Sequence, residues 1–175
     1  MSEYTSPAKK AREIATAIML FGLAIGIYYL SQIPGVPLPV LFQTASVLLL
    51  TFAVLVITHF VMRRYTCRLE QNQKGSVDFV IVEHYGRRDT VVCRVYASQI
   101  LFAARRTAES RKASAEKRKG KPFYRYTANF STSDRVLAEV KMEETDETFF
   151  LEFAADDAFL AQLKNVSGSA LNDFI

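Results

Sequence analysis

The chain has 175 residues, half of them hydrophobic, with 22 Lys or Arg, 18 Asp or Glu, two His and two Cys. So few cysteines exclude a disulfide framework, and the scattered His and Cys exclude a zinc site of the usual spacing. A net charge of +4 indicates no particular partner by itself. The length suits one domain of about 100 residues together with a membrane anchor.

Charge is distributed unevenly along the chain. The 49 residues from Ile14 to Met62 include no Asp, Glu, Lys or Arg. A membrane-spanning helix needs about 20 apolar residues, so this run is long enough for two helices with a turn between them. We predict transmembrane helices at about 14–33 and 40–62, within an N-terminal region of residues 1–64. The intervening segment contains three prolines and a glycine, which stop a helix.

Basic residues flank this run on both sides, and the predicted turn has none. They are Lys9, Lys10 and Arg12 before the first helix, and Arg63, Arg64 and Arg68 after the second. Because positive flanks stay in the cytoplasm, we expect both termini to be cytoplasmic. The expected location is the plasma membrane, which the chain crosses twice.

Two glycines in the first predicted helix are candidates for helix packing. Gly22 and Gly26 form a small-x-x-x-small pair, which allows a second helix to approach closely. The partner is either a second copy of the chain or the second helix of the same hairpin. The favoured interpretation is the second one, in which the glycines pack against small residues of that helix, namely Ala45, Ser46 or Ala53.

From Tyr65 onward, short segments rich in Val, Phe, Tyr and Thr alternate with turn residues, a pattern typical of an all-β sandwich or barrel. We predict a cytosolic domain over residues 65–166 and a C-terminal tail over 167–175. The predicted strands are Tyr65–Glu70, Val77–Tyr85, Asp89–Val95, Gln99–Ala104, Phe123–Phe130, Arg135–Glu143 and Glu147–Phe153. A helix follows and caps the β-structure. The predicted fold class is therefore α+β, a transmembrane helical hairpin followed by a seven-strand barrel or sandwich.

The clearest local prediction is a hairpin over Val77–Val95 with a two-residue turn at Gly86-Arg87. Its register would pair His84 with Asp89, Val82 with Val91, and Val80 with Cys93. We interpret His84 and Asp89 as a surface charge pair at the end of the hairpin, not as a catalytic dyad.

No constellation of catalytic or metal-binding residues is evident in the sequence. Cys67 and Cys93 have no companion Cys at short spacing, and we expect both to be small buried apolar residues. Without an activated nucleophile or an acid–base pair, we expect no enzyme activity, no cofactor and no metal.

The region after the fourth predicted strand is strongly basic. Residues 105–125 contain nine Lys or Arg against two Glu, a net charge of +7, whereas residues 126–175 carry a net charge of −7. We predict that the basic residues contact anionic lipid headgroups or an acidic partner, and solvation alone is the alternative. The candidate contact residues are Arg105, Arg106, Arg111, Lys112, Lys117, Arg118, Lys119 and Lys121. Nucleic acid is not the expected partner, because strand alternation explains the neighbouring tyrosines equally well.

The order of predicted elements resembles the membrane-anchored bacterial PH-like domain proteins. The resemblance covers residues 65–166 by pattern. Residues 79–82, 86–95 and 98–100 are similar to the second to fourth strands of that family, and Phe153 to Leu163 is similar to its closing helix. The basic segment from Arg105 to Lys121 is an insertion relative to the family pattern.

The resemblance implies a scaffold that binds proteins or lipid headgroups, and not a catalyst. We therefore expect a non-enzymatic integral membrane scaffold whose PH-like domain engages a protein partner or anionic lipid, with self-association as a further expectation. The alternative is an accessory subunit of a transporter or membrane enzyme complex, in which the hairpin packs against a larger partner.

Overall fold

A computed structural model describes residues 2–5, 11–35, 37–73, 75–107, 115, 118–128, 134–143 and 145–167. The described residues form two compact units. The sheet unit lies within residues 1–7, 64–127 and 131–175, and the hairpin unit lies within residues 8–63 and 128–130.

Two helices make up the hairpin unit. Helix α1 spans Ala11–Leu30, and helix α2 spans Pro39–Val56 and continues as a π-helical turn over Ile57–Val61. Both are long and apolar enough to cross a membrane, with 20 residues in α1 and 23 in α2 and its π turn together. The prediction of two such helices is confirmed.

The connection between the helices begins at Ser31, whose hydroxyl donates to the carbonyl oxygen of Tyr28 at 2.6 Å. Gly35 has a φ of 94°, a backbone conformation that glycine adopts without strain. Helix α2 then begins with Pro39, whose missing N–H costs nothing in the first turn of a helix.

Small side chains form the contact between α1 and α2. Ala17 and Ala24 of α1, and Ser46 and Ala53 of α2, are buried. The Ser46 hydroxyl donates to the carbonyl oxygen of Ala24 at 2.9 Å, an interaction worth about 0.6 kcal/mol between helices in a bilayer. The seven-residue spacing in each helix keeps these residues on one stripe.

Eight strands and one helix make up the described part of the sheet unit. They are β1 Ser2–Thr5, β2 Arg63–Gln71, β3 Val77–Tyr85, β4 Arg88–Tyr96, β5 Ile100–Arg105, β6 Phe123–Tyr126, β7 Arg135–Lys141, β8 Thr148–Ala154 and α3 Asp157–Ser167. All seven predicted strands are confirmed, with ends that shift by a few residues. Strand β1 was not predicted.

The strands form two four-stranded sheets and no barrel. The first sheet has the order β1-β2-β3-β4, and the second has the order β5-β7-β8-β6. Strand β6 lies parallel to β8, whereas β7 lies antiparallel to both β5 and β8. The predicted α+β class is confirmed. Of the two predicted forms, barrel or sandwich, a closed barrel is not formed, since neither sheet joins its ends among the residues that the structure describes.

A short 3₁₀ turn lies where the chain passes from the first sheet to the second. The turn spans Ala97–Gln99, between β4 and β5. The Gln99 side-chain oxygen accepts a hydrogen bond from the Tyr96 backbone N–H at 3.2 Å. After the turn, β5 pairs with β7 in the second sheet.

The structure confirms the predicted turn of the β3–β4 hairpin. It differs from the prediction in part of the strand register. Gly86 has a φ of 61°, as the turn requires. His84 lies opposite Asp89 and Val82 lies opposite Val91, as predicted. The third predicted pair is wrong, because the register shifts between Ile81 and Val82 and places Ile81 opposite Cys93. Such a bulge inserts one residue into β4 and increases the local twist.

The core of the sheet unit lies between the two sheets and under α3. The Phe79 ring of β3 packs 4.9 Å from the Phe153 ring of β8 and 6.3 Å from the Phe159 ring of α3. Leu160 and Leu163 of α3 are also buried. Helix α3 is capped by Asp156, whose carboxylate accepts a hydrogen bond from the Phe159 backbone N–H at 2.7 Å.

Strand β1, which precedes α1 in the chain, is the fourth strand of the first sheet. It pairs antiparallel with β2, and Tyr4 lies opposite Cys67. The Tyr4 ring lies 6.4 Å from the Phe159 ring, so β1 also contacts α3. Four residues are too few to show the alternation by which a strand is predicted from sequence. This segment is a strand because it pairs with the edge of β2.

Candidate anion-binding face of the second sheet

The outer face of the second sheet is where most of the described basic insertion lies. Because Phe153 faces the core, the alternation of β8 turns Phe150 and Glu152 to the opposite side. Phe123 and Arg125 of β6 lie in register with Phe150 and Glu152 respectively. These outward residues of β8 are nevertheless buried, at 1% exposure for Phe150 and 0% for Glu152.

Side chains of the insertion cover this face. The Arg118 guanidinium lies 4.8 Å from the centroid of the Phe123 ring. The Lys121 ammonium lies 5.5 Å from the centroid of the Phe150 ring and 3.2 Å from the Glu139 carboxylate. Cations stack favourably on aromatic rings, so these contacts fix both basic side chains against the sheet.

Glu152 is a buried carboxylate surrounded by three guanidinium groups. One terminal nitrogen of Arg106 donates to both carboxylate oxygens at 2.7 Å. A terminal nitrogen of Arg135 donates to the same carboxylate at 3.1 Å, and Nε of Arg125 lies 3.6 Å away. Burial lowers the pKa of Arg135, against the opposing effect of Glu152. Desolvation of this cluster is costly, and the close ion pairs offset that cost.

The face carries an excess of positive charge. Five cations (Arg106, Arg118, Lys121, Arg125 and Arg135) and two carboxylates (Glu139 and Glu152) meet here. Among the described residues the balance is a net charge of +3. We call this set of seven residues the basic face.

Several guanidinium donors on the basic face have no protein acceptor among the described residues. The Arg125 side chain is 54% exposed, and its Nε lies 3.6 Å from the Glu152 carboxylate. Nε of Arg118 is buried and has no hydrogen-bond partner. Arg106 uses one terminal nitrogen for Glu152. The exposed Arg125 side chain and the half-buried Arg118 side chain are able to donate to an added anion, although Nε of Arg118 is itself closed to solvent.

The predicted basic residues do not all lie together. Arg106, Arg118 and Lys121 lie on the basic face, and Lys119 is exposed in the neighbouring turn. Arg105 instead donates hydrogen bonds to the start of α3 and the residues before it. One terminal nitrogen lies 2.6 Å from the Asp157 carboxylate, and another lies 3.1 Å from the Ala155 carbonyl oxygen. The remaining three predicted residues, Arg111, Lys112 and Lys117, lie outside the described residues.

Arg125 and Arg135 belong to the basic face but were not predicted to be site residues. Both lie in strands, outside the basic insertion. The available signal was Glu152, a lone carboxylate within the otherwise apolar run of β8. A charge at such a position needs a partner of opposite sign, and Arg125 is its neighbour in the sheet.

The predicted His84–Asp89 pair is part of a polar row across the first sheet. Nδ1 of His84 lies 2.7 Å from the Asp89 carboxylate, and Nε2 lies 2.9 Å from the Thr66 hydroxyl. The Thr66 hydroxyl lies 3.3 Å from that of Thr5 in β1. Thr66 is only 1% exposed, so a substrate has no access to its hydroxyl. The row is best explained as a link between β1 and the other three strands.

A cleft of about 660 Å³ opens between β4 and β6, the terminal strands of the two sheets. Val92, Cys93, Tyr124 and Tyr126 are among its lining residues. The Tyr126 hydroxyl donates to the Val92 carbonyl oxygen at 3.3 Å and so bridges the two sheets. Burial raises the pKa of Cys93 to about 11 and that of Tyr126 to about 12.

The two candidate packing glycines face away from α2. Both are exposed, and a Cβ added at Gly22 or Gly26 would meet no other described atom within 4 Å. The favoured interpretation, in which they pack against the second helix, is therefore wrong. The helix contact uses Ala17 and Ala24 instead, and the glycines leave a flat surface on the outside of α1.

Replacement of Glu152 by Gln is expected to destabilise the sheet unit by about 3 kcal/mol, because three guanidinium groups then lose their buried counter-charge. Denaturant titration of the full chain in lipid nanodiscs, followed by near-UV circular dichroism, measures the loss. The exposed Glu147→Gln variant is the control, with an expected change within about 0.5 kcal/mol. Equal stability of the two variants would contradict the structural role of Glu152.

Cys93 is expected to react with iodoacetamide only slowly at neutral pH. Burial disfavours the charged thiolate and raises the pKa of Cys93 from 9.0 to about 11. The thiolate fraction at pH 8 is thus about 100-fold below that of an unshifted thiol. The reaction rate should keep rising with pH up to about 11, as quantified by mass spectrometry, and Cys93→Ser should abolish the signal. A rate that levels off near pH 9 would show that the thiol is not buried in the cleft.

Comparison with protein-family models, with curated proteins and with solved structures found no match to this chain. The resemblance to PH-like proteins thus has no support from a matched relative. What the chain binds must be inferred from its own charges and geometry.

Proposed function

We propose that this chain is a non-enzymatic membrane-anchored binding protein whose basic face contacts the anionic surface of a bilayer. The observation that carries the proposal is the net charge of +3 on the basic face, on which Arg125 is more than half exposed. The two helices, long and apolar enough to cross a membrane, support the anchoring role.

The pairing of β1 with β2 supports a topology in which both flanks of the hairpin lie on one side of the membrane. Strand β1 precedes α1, and β2 follows α2. Strands that share a ladder must be in the same compartment, so two crossings return the chain to its starting side. The positive flanks of the hairpin make that side the cytoplasm in this proposal.

Electrostatic attraction gives the proposal its magnitude. A basic residue near an anionic leaflet gains about 1 kcal/mol, so a net charge of +3 contributes about 3 kcal/mol at most. That amount is enough to hold a tethered unit against a surface, although it is not enough for tight binding by a free protein. Salt shortens the Debye length to about 3 Å at 1 M and should remove the attraction.

The PH-like assignment remains part of the proposal only as a description of a binding scaffold. Open sheets and the parallel β6–β8 pair depart from a closed barrel. The proposed lipid contact therefore depends on the basic face and on no property of a family.

The test measures amide hydrogen exchange of the full chain in three samples. The protein is placed in neutral nanodiscs, in anionic nanodiscs, or in neutral nanodiscs to which anionic vesicles are added. We expect the amides of residues 118–126 to gain protection of about tenfold with anionic lipid, and to lose it at high salt. The first sheet serves as the internal control, with unchanged exchange. Identical exchange in neutral and anionic lipid would contradict the proposal. Protection that appears only on addition of an acidic protein would move the partner from lipid to protein.

A second candidate function is an accessory subunit of a transporter or membrane enzyme complex. The outward position of Gly22 and Gly26 favours it, because an exposed glycine pair suits a helix from another chain. A second copy of this chain could supply that helix as well.

The double variant Gly22→Leu with Gly26→Leu should lose its helix partner, because the added side chains block close approach. It should leave the α1–α2 contact intact. Crosslinking in native membranes and mass spectrometry identify the partner, and Ile25→Leu, also on the exposed side of α1, is the control. Loss of a second membrane protein would support the accessory role, and loss of self-crosslinks would support a homo-oligomer. Unchanged crosslinks would show that the glycines face lipid.

A further inference from the structure

The unused donors of the basic face point to a more specific ligand than a charged surface. Such a ligand presupposes the proposed function, because it would bind the same residues. Arg125 extends from β6 with its Nε 3.6 Å from the Glu152 carboxylate. Arg118 lies over the ring of Phe123, which is two residues before Arg125 in the same strand. Both guanidinium groups are positioned by protein contacts before any ligand arrives.

The Arg118 and Arg125 guanidinium groups lie on the same face of β6, next to neighbouring outward positions of the strand. Phe123 and Arg125 are two residues apart in β6 and therefore project from the same side of the sheet. Alternate residues of a strand are separated by about 7 Å. Because Arg118 stacks on the Phe123 ring, its guanidinium lies over the outward position next to that of Arg125, on the same face of the sheet.

Glu152 holds the arrangement in place without neutralising it. Its carboxylate accepts hydrogen bonds from Arg106 and Arg135, and Arg125 lies only within ion-pair distance. The carboxylate already accepts three hydrogen bonds from Arg106 and Arg135, and Arg125 approaches it only as an ion pair at 3.6 Å. The Arg125 side chain, 54% exposed, is accessible to a ligand from the surface.

The chemistry of the site favours a phosphate monoester. Guanidinium groups bind carboxylate and phosphate with paired hydrogen bonds. A monoester has three terminal oxygens and a charge of about −1.5 to −2 at pH 7. It can accept pairs of hydrogen bonds from two guanidinium groups, and it neutralises most of the +3 charge. A carboxylate has only two oxygens and a single charge, and a phosphodiester likewise has a single charge.

We infer that Arg118 and Arg125, supported by Arg106, form a specific site for a phosphate monoester on the outer face of the second sheet. The ester is either the headgroup of a monoester lipid or a soluble phosphate ester. Lys119, exposed in the turn beside Arg118, adds positive charge at the mouth of the site.

The test compares two anionic lipids of equal surface charge. Full-length protein in neutral nanodiscs is mixed with vesicles of phosphatidylcholine that contain phosphatidic acid or phosphatidylserine, in proportions that give the same zeta potential. We expect binding to the phosphatidic acid vesicles to be about tenfold tighter, as measured by flotation. Arg125→Lys and Arg118→Lys keep the charge but lose the paired donors, so each should abolish the preference and retain binding to phosphatidylserine. Arg87→Lys, in the exposed turn of the first sheet, is the matched control and should behave as the wild type.

A soluble arm distinguishes the two sources of the ester. Glycerol 3-phosphate that competes with phosphatidic acid vesicles would show that the monoester group itself is recognised. If the protein shows no lipid preference but glycerol 3-phosphate raises its thermal stability, the site is assigned to a soluble ester. Both Arg→Lys variants must then lose this stabilisation. Equal binding to both vesicles with no response to glycerol 3-phosphate, or a preference that survives both variants, would overturn the site. Failure of the wild type to bind either vesicle would refute the proposed surface contact instead.

Discussion

The carboxylate of Glu152 is the one buried charge around which the second sheet and its covering segment are arranged. It lies in a strand whose other described side chains are largely apolar, and it has no exposure to water. Burial of an ionised carboxylate is tolerated only with close partners of opposite sign. The start of the insertion at Arg106, strand β6 through Arg125 and strand β7 through Arg135 all converge on it. Packing of the outer face of the sheet and the concentration of positive charge there thus have the same cause.

Strong local positive charge is also the reason for the proposed contact with an anion. One carboxylate can neutralise only one of the guanidinium groups that it gathers, so the requirement to satisfy Glu152 leaves charge in excess. Stacking of Arg118 and Lys121 on Phe123 and Phe150 adds two more cations, of which Glu139 balances one. Contacts with aromatic rings and with a buried acid restrict the motion of most cations on this face. Rigid donors lose less entropy when a ligand binds than the side chains of a flexible loop do.

The two sheets differ in the kind of polar side chains that they carry and in where those side chains lie. In the first sheet a row of hydrogen-bonded polar side chains, from Thr5 through Thr66 and His84 to Asp89, joins the four strands. This row includes β1, which lies on the other side of the hairpin in the sequence. The second sheet concentrates full charges on its outer face. Between the terminal strands β4 and β6 the sheets remain open, and the Tyr126 hydroxyl provides one hydrogen bond where a barrel would have a ladder.

Local pattern was sufficient to predict the two apolar helices, all seven strands after residue 62 and the β3–β4 turn. These features depend on the composition of short segments: twenty or so uncharged residues, alternation within a strand, or a glycine where φ is positive. Register, sheet order and closure depend on contacts between distant segments. The bulge beside Val82, the pairing of β5 with β7 and the addition of β1 to β2 therefore could not be predicted locally. The same reason divides the basic residues: the sequence indicated a positive insertion, whereas only tertiary packing on Glu152 separated Arg105 from the face and brought Arg125 and Arg135 onto it.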